Sequence, residues 1–175
     1  MRVGLVADSH GFFDPKLPEV LRGSELILHA GDVVKPAVLA AHEQIAPVRF
    51  VRGNNDLAPE FASCPEVLLV ELGALTVLVV HDLGPRERPK PPARPLLLRE
   101  RPQLVVHGHS HRPAVVRVGE TLFVNPGSAG PRRFSLPRTA AVLTVRGRGV
   151  RVELFDLSGE RPAPFGAPVE AELRG

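Results

Sequence analysis

Residues 25–56 read ELILHAGDVVKPAVLAAHEQIAPVRFVRGNND. Two short apolar runs, ELILHA (25–30) and VRFVRG (48–53), flank KPAVLAAHEQIA, which suits a short helix with Pro36 tolerated in its first turn. Runs of this kind, apolar and closed by glycine, aspartate or asparagine, read as buried parallel strands. Working outward, RVGLVA (2–7) is a third such run. DPKLPEVLRGS behind it suits another short helix, with Pro15 in its first turn. The chain therefore opens as βαβαβ, which calls for a parallel sheet with helical crossovers.

The second half changes character. EVLLVEL (66–72) and LTVLVVH (75–81) are separated only by Gly73 and Ala74, a hairpin spacing. QLVVHG, PAVVRVG and TLFVNPG follow at turn-sized gaps, and AAVLTVRGRGVRVELFDL (140–157) reads as a hairpin turning at Gly147 and Gly149. The expected fold is α/β, with two packed sheets flanked by the helices of the first half. GPRERPKPPARP (84–95), with its five prolines, reads as a surface loop, or as a semi-rigid flap over whatever His81 serves.

At 175 residues the chain suits one domain, and a chain of this size buries roughly 70% of its unfolded surface. Its single cysteine, Cys64, rules out an internal disulfide and any cysteine-rich zinc site. It reads as a small buried hydrophobe. VGLVA stops at Asp8, too short for a signal-peptide core, and no window approaches the ~18 apolar residues of a membrane span. A cytoplasmic location is the expectation. The net charge of +3 does not call for nucleic acid, and GPRRF (130–134) reads as a solvated loop.

Chemistry-bearing residues recur at strand ends. Asp8 and His10 follow the first strand, Asp32 the second and Asn54 the third; His81 ends the strand 75–80, and His109 and His111 follow the strand 103–106. In open α/β sheets that edge is where ligands bind. Four histidines, two aspartates and one asparagine form a nitrogen–oxygen set without thiolate, suited to Mn²⁺, Fe²⁺, Zn²⁺ or Ni²⁺. Seven donors exceed one tetrahedral ion and fit two ions sharing a carboxylate, ~3.5–4 Å apart, as in sites that hydrolyse phosphate esters. Gly31, Gly53 and Gly108 beside them allow close backbone approach. Each motif alone is a common turn; five in order at strand ends are not.

In order, DSH, GD, GNND, the strand-end His81 and GHSH resemble the motif series of the calcineurin-like metallophosphoesterases. NPGS (125–128) and the compact length resemble the small bacterial and archaeal YfcE-like phosphodiesterase branch. The eukaryotic retromer subunit of this fold is a more distant relative. The resemblance runs from residue 3 to about 156. It implies a four-layer α/β/β/α sandwich of two mixed sheets, as a domain over 1–157 with a Pro/Gly-rich tail over 158–175. It also implies that Asp8, His10, Asp32 and His111 hold one metal, and Asp32, Asn54, His81 and His109 the other. Mn²⁺ comes first among the ions, with Ni²⁺, Fe²⁺ or Zn²⁺ as alternatives. Asp32, Asn54 and His109 would be catalytic, acting on a small phosphodiester through a hydroxide bridging the two metals.

Two positions depart from the pattern. Many members carry histidine, held by the following acid, where this chain has Asn55; Asn55 cannot protonate a leaving group, so Asp56 loses its orienting role. The loss favours diesters whose leaving groups need little protonation. Asp82 stands where glycine often follows the strand-end histidine, either bonded to His81 or facing solvent. Gly127 and Ser128 are expected to steady a metal ligand through their amides. His107 and His29 read as packing residues and His42 as a surface residue of the crossover helix. A rival reading is a non-catalytic scaffold of the same fold for protein interaction. Long nucleic acid and membranes are not expected partners, and self-association is left open.

Overall fold

The computed structural model describes residues 1–133 and 135–174. Strands β1 (Arg2–Val6), β2 (Leu26–His29) and β3 (Val48–Phe50) pair in parallel, joined through helices α1 (Leu17–Val20) and α2 (Pro36–Glu43). Helix α1 is a single turn whose start is taken by Pro18, so Pro15 falls outside it. The hairpin of β9 (Thr139–Arg146) and β10 (Gly149–Asp156) extends this sheet antiparallel to β1, turning through Gly147 at φ +60.

β4 (Val67–Leu72) and β5 (Leu75–Val80) form the expected hairpin, with Leu72 opposite Leu75. β6 (Leu104–His107), β7 (Ala114–Val118) and β8 (Thr121–Asn125) complete a second sheet of order β4-β5-β6-β8-β7. Its β5–β6 and β6–β8 pairs are parallel and its edge pairs antiparallel. The two sheets pack face to face over a core that includes Val3, Leu5, Leu28, Val77, Val79, Leu104 and Val124. Leu17, Leu21 and Ile27 fill a second apolar layer on the outer face of the first sheet. The result is the α/β/β/α sandwich.

Three features differ from the sequence expectation. The fourth layer is helix α3 (Ala93–Glu100), which starts inside the proline-rich segment. Pro91 and Pro92 precede it, and Ala93, Leu96 and Leu97 pack on Leu78, Val80, Val105 and Phe123. So not all flanking helices come from the first half. His42 is not a surface residue: it is fully buried, edge-on to Phe13 and His29, with Nδ1 2.7 Å from the Val38 carbonyl one helical turn back. Finally, residues 158–175, read as a tail, add β11 (Ala163–Pro164) and β12 (Val169–Glu172) along the outer edge of β10, and Leu173 is buried in the core between the sheets. Cys64 is half-buried against Phe61 and Phe50.

Candidate metal centre

Past the ends of β1 and β2 the two chains stay zipped together. Asp8 N donates to Gly31 O (3.0 Å), His10 N to Asp32 O (2.9 Å) and Gly11 N to Val33 O (2.9 Å). The second sheet repeats the device, Gly108 N donating to His81 O at 3.0 Å. To curl the donors inward the backbone turns left-handed: Asp8, His10, Asp32, His109 and His111 all have φ between +47 and +67. L residues avoid that region, Asp, Asn and His least, and a cluster of such residues marks a functional site.

The seven sequence-predicted donors converge on this edge. His10 Nε2 lies 3.1 Å from His111 Nε2, and Asp8 Oδ1 lies 3.2 Å from His111 Nε2 and 3.9 Å from His10 Nε2. Asp32 Oδ2 stands between the halves, 3.8 Å from His10 Nε2 and 3.4 Å from His81 Nε2. Asn54 Oδ1 is 3.1 Å from His81 Nε2 and 3.0 Å from His109 Nδ1. Donor atoms of Asp8, His10 and His111 lie within 4.8 Å of one another, as do those of Asp8, Asp32 and His81. Asp8 Oδ1 is buried with no hydrogen-bond partner among the described residues. Two carboxylates and lone-pair nitrogens facing one another around an unanswered buried oxygen need positive charge between them, so the residues fit divalent cations.

The remaining atoms of these side chains tie the sheets together. His109 N donates to Asp8 Oδ2 (3.0 Å), and His81 Nδ1 meets Ala30 O at 2.8 Å, which leaves Nε2 turned to the centre. Burial alone would raise the Asp32 carboxyl; hydrogen bonds from His81 and Asn55 outweigh it and hold Asp32 well below the carboxylate range. Burial pulls His81 down, yet Asp32 and Asp8 beside it leave it raised. His109 and Asn54 are exposed, so the His81 half opens to solvent, whereas Asp8, Asp32 and His81 are buried.

The flanking residues depart from expectation in instructive ways. Asn55 donates through N to Asp32 Oδ1 (2.8 Å) and through Nδ2 to Asp32 Oδ2 (2.6 Å), orienting that carboxylate. Asp56 has not lost its purpose: its Oδ2 accepts from Asp32 N (3.0 Å) and Gly53 N (2.7 Å), and its Oδ1 from Val34 N (2.6 Å). It clamps the loops after β2 and β3, including Val34 at φ +71. Asp82 neither bonds His81 nor simply faces solvent. It accepts from Gly84 N (3.0 Å) and Lys90 Nζ (2.6 Å) and lies 3.8 Å from His109 Nε2. Ser128 steadies Asp8 through its hydroxyl rather than its amide, donating to Asp8 O at 2.9 Å, while Gly127 N donates to Asn125 Oδ1 (2.9 Å).

Two contributors had no sequence reading. Asn125 holds Gly108 O through Nδ2 (3.0 Å), fixing the turn before His109; its place at the head of NPGS, where asparagine favours local turns, was the available signal. Ser9 Oγ sits 2.7 Å from His29 Nε2, and His29 Nδ1 is buried without a partner among the described residues, so His29 is buried but only half satisfied. His107 lies outside both donor groups. Burial, then Arg86, pushes its imidazole down to about 4. Gly53 admits no side chain, since a Cβ there would fall 2.2 Å from Asp32 Oδ1.

A family model described as "Calcineurin-like phosphoesterase superfamily domain" matches residues 1–148. The chain is 31% identical over 161 residues to "Probable metallophosphoesterase" of Methanothermobacter thermautotrophicus, covering 89% of this chain and 92% of that one. Among solved structures it is similar to vacuolar protein sorting 29 from Cryptosporidium parvum, with a TM-score of 0.81, 22% identity, and 98% and 97% of the two chains covered. It is similar to the phosphoesterase YfcE from E. coli with a TM-score of 0.68, 19% identity, and 99% and 100% covered.

Proposed function

Because the chain belongs to the calcineurin-like phosphoesterase superfamily, we propose that it is a phosphoesterase working with two divalent transition-metal ions, and within that class a phosphodiesterase. The observation that carries the reading is the chain of close donor atoms that runs from His111, Asp8 and His10 through Asp32 to His81, Asn54 and His109. Asp8, His10, Asp32 and His111 would hold one ion, and Asp32, Asn54, His81 and His109 the other, Mn²⁺ foremost. When bound, such a pair supplies a water of lowered pKa and neutralises charge on the phosphate in an in-line displacement.

The chain's own part is positioning. Asn55 and His81 keep Asp32 ionised and aimed, ready to be shared. Asp56 fixes the loops that carry Asp32 and Asn54. Asn55 holds no transferable proton, so the site forgoes the ~10²–10⁴ of rate that a general acid gives. Substrates with good leaving groups suit it, hence diesters of acidic alcohols or anhydrides. Hydrolysis of bis(p-nitrophenyl) phosphate with Mn²⁺ or Ni²⁺, lost in Asp32→Ala, is the expected result; equal activity in that variant would sink the assignment.

A second reading is a protein-binding scaffold of the same fold, favoured by the closer likeness to vacuolar protein sorting 29 than to YfcE. That likeness bears on fold alone, and the intact donor set weighs against it. Protein purified without chelator and lacking metal would favour the scaffold.

A further inference from the structure

Beside the His81 half of the centre lies a cleft of about 520 Å³, within the ~300–1,000 Å³ common for small-molecule sites. Asn54, His81 and His109 line it, so a group filling it stays within reach of a phosphate held at the centre. Besides these histidines, five charged side chains line the cleft, and each is already answered. Arg52 pairs with Glu66, Lys90 Nζ donates to Asp82 Oδ2 at 2.6 Å, and Asp56 is spent on its three amides. Open apolar surface comes from two separate segments. Leu57 lies in the loop after β3, three residues beyond Asn54, and Pro91 and Pro92 stand at the threshold of α3. Pro91 is exposed and Pro92 half-buried, while Leu57 is 84% exposed, the most of any large apolar residue among those described. A leucine exposed singly is ordinary. Here it joins two prolines beside a set of placed polar donors, which is the composition of a ligand pocket.

We propose that this cleft is the subsite for a neutral, apolar organic group carried on the phosphate, about the size of an aromatic ring, with Leu57 as the residue that selects for it. The inference rests on the phosphoesterase reading and deepens it: the ester group is chosen by its apolar surface rather than by charge. A phenol-like group meets both demands of the site. It leaves without help from a general acid, and it covers Leu57 and the prolines from water. A second anionic group gains nothing here, since Arg52 and Lys90, the cations lining the cleft, are paired.

The test titrates Mn²⁺-loaded wild type, Leu57→Ser and Leu57→Met with phenylphosphonate and methylphosphonate by calorimetry. Neither compound has an ester to hydrolyse, so binding is read apart from turnover. Both offer the same phosphonate to the metals, and intrinsic differences between them cancel when the ratio of their Kd values is compared between proteins. The exposed position of Leu57 keeps both substitutions from disturbing the core. The apolar surface covered predicts phenylphosphonate binding ~10-fold tighter than methylphosphonate in wild type, a preference cut ~5-fold in Leu57→Ser and kept in Leu57→Met. Equal affinities in wild type, or a preference that survives intact in Leu57→Ser, overturns the proposal. A loss as large in Leu57→Met as in Leu57→Ser overturns it too. Hydrolysis of bis(p-nitrophenyl) phosphate by the same preparation tests the phosphoesterase reading separately. If that ester is not cleaved but the phenyl preference follows the expected pattern, the hydrolase reading fails while the subsite stands. If it is cleaved and the two phosphonates bind alike, the subsite fails and the hydrolase reading stands.

Discussion

Replacing Asp56 isolates the scaffold of the centre from its donors. The carboxylate is 4% exposed and accepts three backbone N–H groups, two on Oδ2 and one on Oδ1. In Asp56→Ala the Val34 amide, partly open to water, can be hydrated again. Asp32 N and Gly53 N cannot, and each buried amide left unsatisfied costs ~1–3 kcal/mol. The expected destabilisation is therefore ~4 kcal/mol, a large part of the ~5–15 kcal/mol that holds a domain together. Asp56→Asn discriminates the mechanism. With its carbonyl oxygen on the Oδ2 side it keeps both buried bonds and loses only the Val34 contact, so it should cost ~1–2 kcal/mol. Urea unfolding of the chelator-treated proteins, read by far-ultraviolet circular dichroism, measures both. The same alanine variant should bind Mn²⁺ ~10–100-fold more weakly, since groups supporting a ligand carry effects of that size. If alanine costs under 1 kcal/mol, or asparagine costs as much as alanine, the clamp argument is refuted.

Other expectations are quicker to check. Mn²⁺ at a hundred times its dissociation constant adds ~2.7 kcal/mol per site by mass action, which at ~2–4 °C per kcal/mol for this chain length raises Tm by roughly 5–10 °C for each ion bound. A Tm indifferent to Mn²⁺ and chelator would contradict two ions bound in the folded state. Gly53→Ala sets a Cβ 2.2 Å from Asp32 Oδ1, so it should lose ~1–3 kcal/mol and retain fewer than two metal equivalents by elemental analysis. The His29–His42 pair sets a pH trend. Burial first, and then their mutual repulsion at His29, hold both below the ordinary value. The unfolded chain therefore takes up protons first as pH falls through ~6.5, and stability present above that pH is lost on acidification. In chelator, His42→Phe should show a shallower fall in unfolding free energy from pH 7 to 5 than wild type; parallel curves would remove His42 from the linkage.

What was legible in the sequence was set locally. A strand end followed by Asp-Ser-His, Gly-Asp or Gly-His-Ser-His places donors by chain geometry alone, and the seven residues lie along one edge of the sheets. What was illegible depended on distant partners. Asp56 acts on amides up to 24 residues away, and its neighbours in the chain say nothing of that. His42 looked like an exposed polar position of a short helix, but the sheet beneath presents His29, and the pair buries edge to face. β12 escaped notice because an edge strand alternates exposed and half-buried residues, and VEAE reads as polar coil until Val169 and Ala171 find β10. Helix α3 was hidden by the prolines at its threshold, which block the turns before it but not those after.

The left-handed backbone at five donors has a consequence for how such a protein could change. An L residue in that region gives up ~1–2 kcal/mol against glycine, less for aspartate or asparagine. Each donor is thus held against a conformational preference, offset at Asp8 and Asp32 by the amides that their carboxylates accept. If the proposed reaction were abandoned, glycine at His10, His109 or His111 would relieve that strain, whereas at Asp8 or Asp32 it would also remove the acceptor of the His109 or Asn55 amide. Glycine drifting into the three histidine positions would record retirement from catalysis. Their present occupants are a standing sacrifice of stability.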